Sequence, residues 1–348
     1  MTGIPTASRR IGAGLGLALG AAGVLVLSIV LAVSVGAVAI PPATVWRIAL
    51  DQVAPGLVTP DWSLGRANIV WEIRFPRVIL AGLVGAGLGL VGGALQSVTR
   101  NPLADPHLLG ISSGGAFGAI AALLHTGLFL GALTVPFMAF AGALLATLLV
   151  LGVARLAGTT SADRLVLAGV AVSFVIMAGA NILIFMGDPR ATHTVVFWML
   201  GGLGLAQWGH LIWPLGVLLP CGAWLWAQAA RLNAMSLGDE TAASLGIEVG
   251  RFRLTVFVVS ALITGVLVAF SGLIGFVGLM MPHLVRLVAG GDNARVLPGS
   301  ALAGAVFLIW ADALARVAVA PEDMPIGVVT GLFGGVFFIW MMARHRPS

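Results

Sequence analysis

Charge is what this chain most lacks. Only 9% of its 348 residues are charged, 59% are hydrophobic, and the mean hydropathy is +1.07. A soluble domain carries roughly 25% charged residues because its surface must face water. Lipid must therefore solvate much of this chain. Lysine is missing altogether, since all 18 basic residues are arginine. That excludes a G-x-x-x-x-G-K-[ST] phosphate loop and a Schiff-base lysine, so the chain does not bind ATP by the usual device. The lone cysteine, Cys221, excludes an intramolecular disulfide; it lies in an apolar stretch, where a buried thiol is expected. The net charge of +5 forms no basic patch, which excludes a nucleic-acid surface.

Long apolar runs fill the rest. Windows of about 20 residues predict spans at 11–39, 70–98, 107–125, 131–157, 163–186, 208–230, 253–271, 274–290, 296–318 and 326–343. The expected fold is all-α: one polytopic membrane domain over 1–348, with about ten transmembrane helices. Arg9-Arg10 ahead of an apolar run imitates a signal peptide, but the run to Gly36 exceeds the 7–15 residues of a cleavable h-region. It is read as a retained first helix. With both termini on one side, that side holds twelve arginines and the other six. The positive-inside rule then makes both termini cytoplasmic.

Glycine is abundant, at 48 residues. Gly12, Gly16 and Gly20 recur at spacing four, as do Gly85, Gly89, Gly93 and Gly327, Gly331, Gly335. Such stripes let helix backbones approach closely in lipid, where no hydrophobic drive exists between helices. Gly87-Leu-Gly-Leu-Val-Gly92 matches a dinucleotide pattern, but it lies mid-span with no strand before it, and is read as chance. Polar stretches at 46–68 and 187–209 are expected on the outer side, and a larger loop, 231–252, on the inner. In that loop Asp239 and Glu240 open a short helix, as the helix dipole favours, and Gly246 stops it. Such a helix is either a docking surface for a soluble partner or a solvated connector.

Several motifs, in one order, carry a resemblance. They are Arg74-Phe-Pro-Arg77, Gln96, Arg100-Asn-Pro-Leu-Ala-Asp-Pro-His-Leu-Leu-Gly-Ile-Ser-Ser-Gly114, Leu165-Val-Leu-Ala-Gly169 and Trp198-Met-Leu-Gly-Gly202. The 238–246 loop follows, then Gly275-Phe-Val-Gly-Leu-Met-Met-Pro-His283 with Arg286, Leu297-Pro-Gly-Ser300, Ala311-Asp-Ala-Leu-Ala-Arg316 and Pro325-Ile-Gly-Val-Val-Thr330. Over roughly residues 40–344 the chain resembles the FecCD permeases, membrane subunits of ATP-binding-cassette importers for ferric siderophores, haem and cobalamin. The resemblance implies the type II importer permease fold, like that of the cobalamin permease, in a homodimer in the bacterial inner membrane. It further implies two cytoplasmic ATP-binding subunits, which use ATP and Mg, and a periplasmic substrate-binding protein. The chain itself is then a transport subunit and no enzyme, with no catalytic residue, metal ligand or cofactor.

Residue by residue, the resemblance places Asn101 and Leu103 at a cytoplasmic gate. It places Gly238, Asp239, Glu240, Ala243, Leu245 and Gly246 on the ATPase-docking helix. Arg74, Arg77 and Arg316 match outer arginines that meet glutamates of the binding protein. The planar guanidinium suits that task through bidentate pairing, although Arg74 and Arg77 also read as headgroup anchors or partners of Glu72, and Asp312 and Arg316 as an i, i+4 pair. Asn101-Pro102 is a turn by its own chemistry. Gln96, Ser173 and Asn181 read as bonds between helices, and His283 with Arg286 as donors to carbonyls freed by Pro282.

Two departures weaken the match locally. Gly334-Gly335-Val336 stands where the family often has Gly-Ala-Pro, and the loop at Thr159-Thr160-Ser161-Ala162-Asp163 is altered. The expected cargo is an iron chelate, haem ahead of ferric siderophore, with cobalamin third. Tyrosine is absent, which excludes tyrosinate ligation of haem iron but not the passage of haem. A transporter driven by an ion gradient is the alternative from another class. It needs midplane acids, and Asp312 is the one serious candidate.

Overall fold

The computed structural model describes residues 7–156 and 161–344. In chain order its helices are α1 (Ala7–Ser34), α2 (Pro42–Val53), α3 (Leu64–Asn68), α4 (Phe75–Thr99) and α5 (Ile111–Ala121). Next come α6 (Thr134–Leu156), α7 (Ala162–Met186), α8 (Thr192–Met199), α9 (Ile212–Ala227) and α10 (Ala229–Leu237). The last are α11 (Asp239–Ser244), α12 (Val249–Ser271), α13 (Val277–Ala289), α14 (Asn293–Ala315) and α15 (Ile326–Arg344). Among the described residues there is no strand. The fold is all-α, as the apolar runs predict.

Among the described residues, seven helical stretches are long and apolar enough to cross a bilayer: Leu64–Thr99, Gly131–Leu156, Ala162–Met186, Trp208–Ala227, Val249–Ser271, Asn293–Ala315 and Ile326–Ala343. Three shorter apolar helices, Ala22–Ser34, Ile111–Thr126 and Val277–Ala289, fall in the remaining predicted spans. Two stretches read as polar outer loops are partly helical. In α2 the buried Val45, Ile48 and Ala49 stand at i, i+3 and i+4, so this helix lays one apolar face on the protein.

The second span begins irregularly for a physical reason. Between α3 and α4 the chain runs through a π turn, Ile69–Arg74, closed by Phe75 N–H donating to Val70 O. Pro76 follows, and it has no N–H to give the preceding turn. The wider turn absorbs that loss. From there α4 runs through the centre of the molecule, buried over almost its whole length.

Glycine decides how closely its neighbours come. A Cβ on Gly85 would stand 2.1 Å from Gly304 O, one on Gly89 2.2 Å from Ser300 O, and one on Gly92 1.7 Å from Gly278 O. Backbone therefore meets backbone where α4 crosses α13 and α14. The same close approach joins α5 to α6 through Gly114, Gly118 and Gly142. Of the expected stripes, Gly85 and Gly89 pack in this way, whereas Gly93 faces side chains. Gly327 packs on Leu200 O, but Gly20, Gly331 and Gly335 face open space; Gly12 and Gly16 precede the part of α1 whose packing is described.

The short eighth span has a structural explanation. Helix α13 has 13 residues, about 20 Å of rise against a hydrocarbon core of roughly 30 Å. The backbone ahead of it, Gly272–Phe276, is not helical, with positive φ at Gly272 (66°) and at Phe276 (69°). Irregular backbone at membrane depth must be buried in protein and hydrogen-bonded. Gly272 N donates to Val268 O at 2.9 Å, Ile274 O accepts from the His107 ring at 2.8 Å, and Phe276 O accepts from Met280 N at 2.8 Å. The ring of Phe276 fills the space that the missing Cβ of Gly334 leaves.

Candidate functional site

Three groups of residues stand out: two near the end of the bundle where α4 finishes, and one at the end where it starts.

Helix α4 finishes at Thr99, and Arg100 caps it in the left-handed region at φ 54°. Asn101 Oδ1 then accepts from Leu103 N at 2.9 Å, which closes the turn that Asn101-Pro102 predicts. Asn101 is half-buried and Leu103 is 46% exposed. The chain re-enters the protein as a short 3₁₀ turn, Pro106–Leu109, capped by Asp105, which accepts from His107 N at 2.8 Å. His107 fastens this turn to the α12–α13 break. Its Nε2 lies 2.8 Å from Ile274 O and its Nδ1 2.5 Å from Ser112 Oγ. Because a carbonyl only accepts, Nε2 carries the hydrogen and Nδ1 accepts from Ser112. Sequence reasoning left His107 without a role.

At the same end, α11 starts at Asp239 behind Gly238 (φ 127°) and is ended by Gly246 (φ 81°). Ala242 is buried and seats the helix, while Glu240, Ala243, Leu245 and Gly246 are exposed. The helix foreseen over 238–246 is therefore present, anchored by one alanine, with most of its surface free. Asp239 is held from inside: Arg253 Nη2 donates to its Oδ1 at 2.7 Å, and Arg100 Nη2 stands 3.8 Å away. Arg253 is 2% exposed, and its Nε also donates to Val98 O at 3.2 Å. The predicted span 253–271 opens on Arg253 and gave it no role of its own. The helix in fact starts a turn earlier, at Val249, which carries Arg253 inside the protein.

At the other end of α4, Arg74, Arg77 and Arg316 come together, but not on the surface. They are 4%, 6% and 4% exposed. Arg77 Nε pairs with Asp312 Oδ1 at 2.8 Å and its Nη1 with Asp323 Oδ2 at 2.5 Å. Arg316 Nε pairs with Asp312 Oδ2 at 3.0 Å, the expected i, i+4 pair. The remaining positive charge meets the C-terminal end of α1. Arg316 donates to Val35 O (2.6 Å) and Ala32 O (3.0 Å), and Arg74 to Val33 O, Ser34 O and Val38 O. Cations at the last carbonyls of a helix meet the negative end of its dipole. Gly36 makes room, since a Cβ there would stand 2.8 Å from Arg74 Nη2. All three are enclosed in this chain, because unpaired charge inside a bundle must find carboxylates or carbonyls. The carboxylates are Asp312 and Asp323, not Glu72, which is exposed.

Proline at membrane depth also receives partners. Pro282 cannot donate to Gly278 O; Gln96 Nε2 does so at 3.3 Å, and to Leu279 O at 3.3 Å, while Arg286 donates to Gln96 Oε1. Gln96 thus serves these carbonyls directly, with Arg286 behind it. Pro298 leaves Ala294 O free, and Trp226 Nε1 donates to it at 3.1 Å. Ser173 bonds Gly169 O of its own helix at 2.7 Å instead of a neighbour, and Asn181 is exposed. Cys221 is half-buried rather than enclosed. Of the altered 159–163 loop, Thr159 and Thr160 lie outside the described residues. Among the described residues no three His, Cys, Asp or Glu gather as a metal site.

An all-helical bundle with seven described stretches long and apolar enough to cross a bilayer, and irregular backbone buried between them, defines a multi-pass membrane protein. The chain belongs to the FecCD transport family, whose model matches residues 24–344. The vitamin B12 import system permease protein BtuC of Citrobacter koseri is 40% identical over 298 residues, 85% of this chain and 88% of that protein. The hemin transport system permease protein HmuU of Yersinia pestis is 40% identical over 294 residues, 82% and 88%. A solved inward-facing metal-chelate type ABC transporter superposes with TM-score 0.79 at 29% identity, covering 94% of this chain and 99% of that one.

Proposed function

We propose that this chain is the transmembrane subunit of an ATP-driven importer that carries a bulky metal chelate from periplasm to cytoplasm by alternating access. The observation that carries the reading is the family match across 24–344. Relatives at equal identity carry the names of a haem and a vitamin B12 system, so haem and cobalamin are supported equally and a ferric siderophore less directly. Two copies of the chain form the pathway. Two ATP-binding subunits, which supply ATP and Mg chemistry, seat on Gly238, Asp239, Glu240, Ala243, Leu245 and Gly246. Asn101 and Leu103 form the gate beside them. The test is uptake by the complex with its ATPase and binding protein in liposomes, offered haem, cyanocobalamin and a ferric siderophore. ATP-dependent uptake of one is expected; uptake of none would sink the reading.

The binding protein docks at the opposite end. For Arg74, Arg77 and Arg316 to receive its carboxylates, those carboxylates must replace the internal partners. Asp323, with a side chain 37% exposed, is the partner nearest the surface. Asp323→Asn should then tighten binding of the partner by about fivefold, because a neutral amide holds Arg77 less strongly than a carboxylate. Unchanged affinity in titrations of the isolated binding protein would remove Arg77 from the interface.

The ion-gradient alternative rests on Asp312. It is enclosed between Arg77 and Arg316, and a carboxylate so paired is poorly placed to take up a coupling ion. That favours the ATP-driven reading.

A further inference from the structure

We propose that Arg253 is the positioning residue that carries movement of the ATPase-docking helix to the gate. The inference rests on the docking role proposed above for α11.

The geometry is short and direct. Arg253 lies in the first turns of α12, and its side chain is among the largest fully buried in the molecule. Its fork spans two elements that no regular secondary structure joins. One arm is on Asp239 Oδ1 at 2.7 Å, the first residue of the docking helix; Nε is on Val98 O at 3.2 Å, in the last turn of α4. Arg100, which ends α4 in the left-handed region and directly precedes Asn101, approaches the same Asp239 at 3.8 Å. Gly238, at φ 127°, stands 3.9 Å from Arg100 Nη1 at the place of its missing Cβ. A push on α11 therefore reaches the final turn of α4 through one carboxylate and two guanidiniums, and the turn holding Asn101 and Leu103 begins at the next peptide.

Chemistry suits the task. The bidentate, always-charged guanidinium keeps both contacts while the parts shift, because its donors lie in a rigid plane. Releasing Asp239 would take the carboxylate from a buried guanidinium, so α11 and α12 gain by moving together, with the end of α4 held on Nε. Asp239 is buried on one side and 40% exposed in its side chain on the other. It can thus face Arg253 and still lie at the surface where a soluble partner seats.

A static anchor would share this geometry, so the test must separate coupling from folding. The full complex, with its ATPase subunits and binding protein, is reconstituted in liposomes with Arg253→Lys, Asp239→Asn and the double variant. The quantities read are retention of the ATPase subunits, ATP hydrolysed, and cargo taken up per ATP. Arg253→Lys should keep the ATPase subunits, since Arg253 does not reach the surface, and should lower uptake per ATP about tenfold. Asp239→Asn should lower that ratio to a similar extent, and the double variant no further, because both break one link. Unchanged uptake per ATP in Arg253→Lys overturns the proposal, as do two single effects that multiply. If the unaltered permease does not retain the ATPase subunits, the docking role itself falls, and the relay with it. Should Arg253→Lys fail to assemble, Arg100→Gln replaces it: half-exposed Arg100 leaves the fold intact, and a ratio equal to wild type there overturns the relay.

Discussion

At the scale of single residues, backbone contact sets the tolerances. Gly92 illustrates the limit: the obstacle to a side chain there is Gly278 O at 1.7 Å, a backbone atom that no rotamer change can move. Gly92→Ala should destabilise the detergent-solubilised protein by about 3 kcal/mol, the upper part of the range for overpacking. Gly331→Ala meets nothing within 4 Å and should leave the thermal midpoint in place. Equal midpoints for the two variants would contradict the packing described. Gln96 belongs to this scale as well. It offers two donors to carbonyls left weakly bonded beside Pro282, and it accepts from Arg286 with its oxygen. Its position in the sequence marked it as a bond between helices. Only the fold revealed which proline it serves.

At the scale of elements, the junctions between helices depend on a few polar side chains. Asn233 of α10 donates to Asp292 Oδ1 at 2.8 Å and accepts from Asn293 N at 2.8 Å. Asp292 also caps α14 through Ala294 N at 3.0 Å. The Asn233 amide first, and the Ala294 N–H next, hold the Asp292 carboxyl below the usual carboxylate range. A lowered folded-state pKa contributes stability that is present above the unfolded value of about 3.9 and is lost as pH falls through the folded value. The thermal midpoint of wild type should therefore exceed that of Asp292→Asn at neutral pH, and the gap should close below about pH 4. A gap independent of pH would mean that the carboxylate charge plays no part. The clamp on α1 is a second junction, where Arg74 and Arg316 complete the last carbonyls of a helix far away in sequence. A lone arginine near a span end looks the same in sequence whether it anchors to headgroups, docks a partner or caps another helix.

At the scale of the whole molecule, apolar surface remains uncovered. On α7, Phe174, Val175 and Phe185 are exposed, as are Leu332, Val336 and Ile339 on α15. Lipid covers such faces, and so does a second copy of the chain; the homodimer proposed above needs one of them. Mass measurement of the purified complex in detergent should give two permease chains with two ATPase subunits. A one-to-one complex that still transports would remove the shared pathway.

What the sequence determined alone follows from local chemistry. Scarce charge and long apolar runs require spanning helices, because in lipid each backbone polar group must be satisfied within its own segment. The small helix over 238–246 and the Asn101 turn were legible for the same reason: a glycine stop, acidic residues at a helix start and an Asn-Pro pair act within a few residues. What only the tertiary structure decided are the partners. Arg77 and Asp312 lie 235 positions apart, and Arg253 and Val98 155. No local signal ties such residues, since their pairing follows from which helices lie side by side, and that is set by where glycine lets backbones touch.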